Sequence, residues 1–268
     1  LGNNICYNFH LIDSGDIKEI CMSGHSKWHS IKHKKGAVDA KRGKLFTKII
    51  KEIIIAARSG GGDVMGNARL RTAILKAKSA NMPKDNIERA IKKGTGELEG
   101  VEYLEMTYEA YGPGGVAILI QILTDNKNRT AAEVRHILSK GGGNLGETGC
   151  VSYLFKRKGI IEFDATIYSE DEILSAAIEA GAEDVTNDGE IIEVVTDPDD
   201  FEDVVKALEE ASFKYESAEI LMIAENEISL DDEKTTRAIK LIEALEDNDD
   251  VQNVATNLSI PQGFSLSE

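Results

Sequence analysis

Residues 24–58 read GHSKWHSIKHKKGAVDAKRGKLFTKIIKEIIIAAR. On a helix turning about 100° per residue, Lys41, Lys44, Lys48, Lys51 and Arg58 fall on one face. Leu45, Phe46, Ile49, Ile50, Ile53, Ile54 and Ala57 fall on the other. The pattern predicts a helix that buries its apolar face and leaves the lysine face in water. Upstream, an arm over residues 25–35 interleaves His25, Lys27, Trp28, His29, Lys32, Lys34 and Lys35. A basic arm ahead of a basic amphipathic helix suits an anionic partner, and phosphate backbones are the usual one. Two blander readings compete: a core helix with a solvated lysine face, or a basic helix lying on a membrane surface.

Charge along the chain separates two regions. Residues 22–96 hold 18 Lys and Arg against 5 Asp and Glu, a net of +13, whereas residues 97–268 hold 12 against 39, a net of -27. The formal net charge of -16 conceals this division. A basic module fused to an acidic body is expected to turn its cations away from that body, which should repel polyanions. With 268 residues, 41% of them apolar and 29% charged, the chain has the composition of a soluble globular protein of two or three domains. Its three Cys (Cys6, Cys21 and Cys150) form no CxxC, which argues against a disulfide scaffold or thiolate zinc site and fits a reducing, cytoplasmic compartment. The longest apolar run, residues 116–123, is far short of the roughly 20 needed to span a bilayer and reads as a buried strand.

Residues 1–21 begin with Leu, lack periodicity and show no secretory or mitochondrial signal pattern. Met22 reads as a better start, so these residues are expected to be a disordered extension. Residues 22–97 predict three helices. The first ends at Gly60-Gly61-Gly62; the second starts near Asn67, a good N-cap, and carries Arg71, Lys76 and Lys78. The third begins around Pro83 and Lys84 and stops after Lys92-Lys93 at Gly94. These cations join the arm residues, Lys41, Arg42, Lys44, Lys48 and Lys51 as candidate nucleic-acid contacts.

Beyond Gly96 the pattern turns to strands. Residues 103–111 and 116–123 form a strand pair around Gly112-Pro113-Gly114-Gly115, and residues 128–140 form an amphipathic helix. Strands are expected at 151–155 and 159–163, separated by Lys156-Arg157-Lys158, then a helix at 171–180, strands at 184–185 and 191–195, a helix at 198–211 and a strand at 218–224. A helix at 230–245 capped by Ser229 and a strand at 251–255 complete the chain. The order from 159 to 224 is that of a split βαβ, ferredoxin-like unit. The expected fold class is α+β and multidomain: a basic three-helix bundle (22–97), then an α+β domain discontinuous over 98–156 and 226–268, with a ferredoxin-like domain (157–225) inserted in it.

Other constellations carry less. His25, His29 and His33 recur every four residues, but their lysine neighbours would repel a metal cation. Trp28 fits two roles, stacking on an exposed base or pinning the arm to the helical domain. Residues 141–146 match GxGxxG by letters, yet they follow a helix and lead into a strand, so dinucleotide binding is rejected and a flexible loop expected. In the cluster 125–130, Asp125 or Asn128 reads as a helix cap and Arg129 as a turn residue with reach to a phosphate. No acid/base pair or Ser-His or Cys-His spacing supports catalysis, so neither a cofactor nor a small-molecule substrate is expected. A hydrolase with a central cleft and a protein-interaction scaffold are the competing classes.

Four long motifs carry a family resemblance. They are SGHSKWHSIKHKKGAVDAKRGKLFTKIIKEI (23–53), NARLRTAILKAKSANMPKDNIERAIKKGTG (67–96), YEAYGPGGVAILIQILTDNKNRTAAEVRH (108–136) and GGNLGETGCVSYLF (142–155). Together they resemble the YebC family, from Met22 nearly to the end. The resemblance implies a helical bundle and two α+β domains around a central cleft, without catalytic residues. It also implies a DNA-binding transcriptional regulator of the YebC and PmpR kind. Relatives in that family include the mitochondrial translational activator of cytochrome c oxidase and bacterial factors that ease ribosome stalling at proline-rich stretches. Promoter DNA and ribosomal RNA are therefore both expected partners, and a membrane is not.

Overall fold

The computed structural model describes residues 39–260 and residue 264. The extension 1–21 and the basic arm, with His25, Lys27, Trp28, His29, His33 and the neighbouring lysines, lie outside the described residues, as does the side chain of Lys41. Among the described residues three helices come first: α1 (Asp39–Gly60), α2 (Ala68–Ser79) and α3 (Lys84–Thr95). The apolar stripe of α1 is buried as its period requires, with Ile49, Ile53, Ile54 and Ala57 packed on Leu70, Ala73, Ala77, Ile87 and Ala90. Asn67 joins the first two helices. Its side-chain oxygen accepts from Leu70 N–H at 3.0 Å, capping α2, while its amide donates to Ala56 O and Gly61 O at 2.8 Å each. The third helix runs past Gly94, the predicted stop, and is capped by Gly96 in the left-handed region (φ 83°). Gly94 serves packing instead: a Cβ there would sit 2.6 Å from both Ile54 O and Ala57 Cβ, so its bareness lets α3 approach α1. Pro83 is the N-cap, one residue ahead of the expected first turn.

The second unit is an antiparallel sheet in the order β3-β1-β2-β9, built from β1 (Leu104–Tyr111), β2 (Ala117–Thr124), β3 (Asn144–Leu145) and β9 (Val251–Thr256). Helices α4 (Lys127–Lys140) and α7 (Asp232–Glu246) share one core with Ile118, Ile120, Ile122 and Val254. The other face of β2, with Ala117 and Leu119, packs on Val151, Phe155 and Ala255. Burial on both faces explains why β2 reads as a continuous apolar run. Asn126 caps α4, accepting from Arg129 N–H at 3.1 Å, so neither Asp125 nor Asn128 does. Likewise Asp231, not Ser229, caps α7, accepting from Lys234 N–H at 2.9 Å.

The chain leaves this sheet into a third unit, composed of β4 (Phe155–Asp164), α5 (Glu170–Glu179), β5 (Asp184–Asn187), β6 (Ile191–Thr196), α6 (Phe201–Glu210) and β7 (Ser217–Ala224). Its sheet order β5-β6-β4-β7, antiparallel throughout, is the ferredoxin-like arrangement, with α5 and α6 sharing one core with the sheet. Two predictions fail at its entrance. Residues 152–154 form a 3₁₀ turn rather than a strand. Lys156, Arg157 and Lys158 do not separate two strands but lie within β4, held by pairing with β7. A two-stranded parallel pair, β8 (Ile228–Ser229) with β10 (Leu258–Ser259), was not expected from the pattern.

Candidate nucleic-acid interface

The lysine face of α1 does not stay in water. Near its N-terminal half it meets the C-terminal end of α7 and the turn into β9. Lys48 Nζ donates to Glu246 O at 2.5 Å, and Lys44 Nζ to Asp247 Oδ1 at 2.8 Å and Asp247 O at 3.1 Å. Carbonyls at a helix C-terminus have no partner within their own helix and carry the negative end of its dipole, so lysines are well suited to satisfy them. One turn on, Lys51 is 7% exposed. Its ammonium donates to Asp250 Oδ1 (2.8 Å), Asp249 O (2.9 Å) and Leu123 O (3.4 Å), and lies 5.6 Å from the Tyr103 ring centroid.

Asp250 is the hub of this junction. It also accepts from Arg129 Nη2 at 2.6 Å, Thr130 Oγ1 at 2.7 Å and Thr124 Oγ1 at 3.0 Å. Burial pushes its carboxyl up, but the hydrogen bonds from Lys51, Arg129 and Thr130 outweigh it and hold the group well below the usual carboxylate range. Arg129, read from sequence as a turn residue within reach of a phosphate, instead spans Asp250 and Asp125 (2.8 Å). A polar cleft of about 500 Å³ opens beside this network, lined among others by Lys44, Thr47, Tyr103, Asp125, Arg129 and Glu133.

The second helix faces the ferredoxin-like unit in the same way. Arg71 grips Glu202 on α6 through Nε (3.0 Å to Oε2) and a further, shorter contact, and its Nη1 donates to Val64 O and Met65 O. Lys76 Nζ lies 2.6 Å from Glu219 Oε2 on β7. Arg69 bridges Glu52 within the bundle and Glu105 on β1. The expectation that the acidic body repels the basic face into solvent is thus corrected. The carboxylates come to the cations, because an unpaired ammonium at a packed junction would cost more than an ion pair there.

The remaining sequence candidates lie elsewhere on the bundle. Arg42 is exposed, its guanidinium 5.5 Å from the Phe46 ring centroid. Lys84 is exposed and approaches Glu88 at 3.4 Å. Lys78 and Lys92 are exposed and Lys93 half-buried. Arg89, exposed and not a sequence candidate, shares the outer face of α3 with Lys92 and Lys93. Its i, i+3, i+4 spacing to those lysines was the signal available. Among the described residues no carboxylate pairs with Lys78, Arg89, Lys92 or Lys93. No group of three or more His, Cys, Asp or Glu among them is arranged to hold a metal ion, and no helix is long and apolar enough to cross a membrane.

The glycine-rich segment after α4 is ordered by hydrogen bonds, not the flexible loop its composition predicts. Gly143 N–H donates to Leu138 O (2.8 Å) and Gly146 N–H to Glu109 O (2.7 Å), with β3 paired to β1 between them.

A basic helical domain bolted by ion pairs to two antiparallel α+β units defines the class of this protein. Its residues 26–97 match the family description "TACO1/YebC protein N-terminal domain", and residues 103–258 match "TACO1/YebC second and third domain". A probable transcriptional regulatory protein of Treponema denticola is 61% identical over 247 residues, covering 92% of this chain and all of that one. One of Syntrophus aciditrophicus is 61% identical over 241 residues, covering 90% and 96%. The crystal structure of a conserved hypothetical protein from Aquifex aeolicus superposes with a TM-score of 0.81 at 53% identity, covering 88% of this chain and 98% of that one. The chain belongs to the TACO1/YebC family.

Proposed function

We propose that this protein is a non-enzymatic, cytoplasmic regulator of gene expression that binds nucleic acid through its helical domain, acting on transcription by binding DNA. One observation carries the reading. After Lys44, Lys48, Lys51, Arg69, Arg71 and Lys76 are taken up in ion pairs or carbonyl contacts, the bundle still presents Lys78, Arg89, Lys92 and Lys93 without carboxylate partners. The basic arm 25–35 adds to them in the sequence. Unpaired cations at a helix surface gain by displacing the condensed counterions of a phosphate backbone. That relatives at 61% identity are named probable transcriptional regulatory proteins supports the regulatory half of the reading. A second reading takes ribosomal RNA as the target, since Arg89, Lys92 and Lys93 on α3 can meet the phosphates of either polymer.

The test is a titration of the full chain against a labelled DNA duplex and a structured RNA over a range of salt. Changing Arg89, Lys92 and Lys93 to Gln should leave the melting temperature unchanged and make the slope of log K against log salt shallower by about 0.7–0.9 for each phosphate no longer neutralised. No binding to either polymer at low salt would end the proposal, and an unchanged slope would remove α3 from the interface.

A further inference from the structure

Tyr153 stands on a rigid platform and points nowhere into the protein. The residue is 71% exposed, and it is the one aromatic among the strongly exposed large apolar residues described. Mobility does not account for this, because the backbone on its N-terminal side is tied down with unusual thoroughness. Glu109 on β1, itself 6% exposed, accepts from the N–H groups of Gly149 (2.6 Å), Val151 (2.6 Å) and Ser152 (2.8 Å). The Tyr111 hydroxyl donates to Cys150 O at 3.0 Å. Val151 and Phe155, on either side, are buried in the core shared by the two α+β units. Burial pushes the Glu109 carboxyl up, and the three N–H donors more than offset it and keep the group ionised. A buried carboxylate spent on holding a short turn fixes the ring's position before any partner arrives, so little ordering entropy is left to lose on binding.

The chemistry beside the ring narrows the partner. Lys156-Arg157-Lys158 is the one run of three cations in the acidic half of the chain. Lys156 pairs with Glu225 and Lys158 with Glu183 (2.6 Å), while exposed Arg157 has no carboxylate partner among the described residues. An open aromatic face thus lies within four residues, at most about 14 Å of chain, of a free guanidinium. Rings with nearby cations are how proteins hold unpaired bases: the base stacks and the phosphate meets the charge.

We infer that Tyr153 and Arg157 form a second nucleic-acid contact, a stacking site for an unpaired base with a cation for its phosphate, on the body rather than on the helical domain. This rests on the nucleic-acid reading above and extends it by the class of ligand: single-stranded or looped segments, not continuous duplex. The experiment uses the full chain with Tyr153→Ala, Tyr153→Phe and Arg157→Ala, titrated against a 12-nucleotide oligo(U) RNA and a 20-base-pair DNA duplex. Tyr153→Ala should weaken oligo(U) binding about 5- to 100-fold with an unchanged salt slope and leave duplex binding as it was. Tyr153→Phe should bind like the parent. Arg157→Ala should make the oligo(U) slope shallower by about 0.7. Oligo(U) binding by Tyr153→Ala equal to that of the parent, or an equal loss on both probes, would overturn the inference while leaving the helical-domain reading intact. A parent chain that binds neither probe would overturn both. Because the ring is exposed, its removal should not move the melting temperature. Should it do so, Tyr153→Phe and Arg157→Ala still decide the matter, since neither alters the platform.

Discussion

Replacing Lys51 by Met will loosen the junction between the helical domain and the first α+β unit. The apolar substitute fills a similar volume but leaves Asp250 without its 2.8 Å cation, and the carbonyls of Asp249 and Leu123 without this donor. Removing one partner of a buried ion pair costs about 3–5 kcal/mol when the other charge is stranded. Here Asp250 keeps Arg129, Thr124 and Thr130, so the cost falls to the bottom of that range or just below it, about 2–3 kcal/mol. For a chain of this size that is a fall in melting temperature of roughly 5–10 °C. Asp250→Asn should cost a similar amount by stranding Lys51. The double variant, with both charges gone, should cost less than the sum by about 1–3 kcal/mol. The carboxyl of Asp250 titrates lower in the folded than in the unfolded chain. Its contribution is therefore fully present above its unfolded value of about 4 and fades as pH falls through its depressed folded value. Asp250→Asn should remove that part of the acid destabilisation. Urea titrations of the four proteins at neutral and acidic pH measure all of this. Additive single-variant costs, or a Lys51→Met loss under about 0.5 kcal/mol, would refute the claim that this pair holds the junction. A shallower salt slope for nucleic-acid binding in Lys51→Met would show that its ammonium reaches a phosphate after all.

Two further perturbations test the local accounts. Glu109→Gln presents an N–H₂ group where the turn needs an acceptor; it should cost about 1–3 kcal/mol and speed amide exchange at Gly149, Val151 and Ser152, and unchanged exchange would mean the carboxylate does not hold the turn. Gly94→Ala, which on helix propensity alone would stabilise α3, should instead cost about 1–3 kcal/mol, because the new methyl meets the Ile54 carbonyl across the helix contact; a rise in melting temperature would show that the packing yields.

Much of the fold follows from short-range pattern. The apolar stripe of α1, the Asn67 cap, the run of β2 and the strand-helix order of the inserted unit all rest on spacings of a few residues, where side-chain geometry and backbone preference act directly. The same short range explains the errors. A glycine beside two lysines looks like the end of α3, yet Gly94 is there because another helix passes close by. Residues 156–158 look like a break, yet pairing with β7 keeps them in β4. The division of charge between a basic module and an acidic body is likewise legible from the residues alone. Which cations are spent and which are left depends on how the chain folds back on itself. The partners of Lys44, Lys48 and Lys51 lie about two hundred residues further along the chain, and those of Arg71 and Lys76 lie more than a hundred away. Helical periodicity places these side chains on a face, but whether that face meets water, a phosphate or a carboxylate depends on where separate domains dock. An ion pair between residues so far apart leaves no periodic trace in either segment.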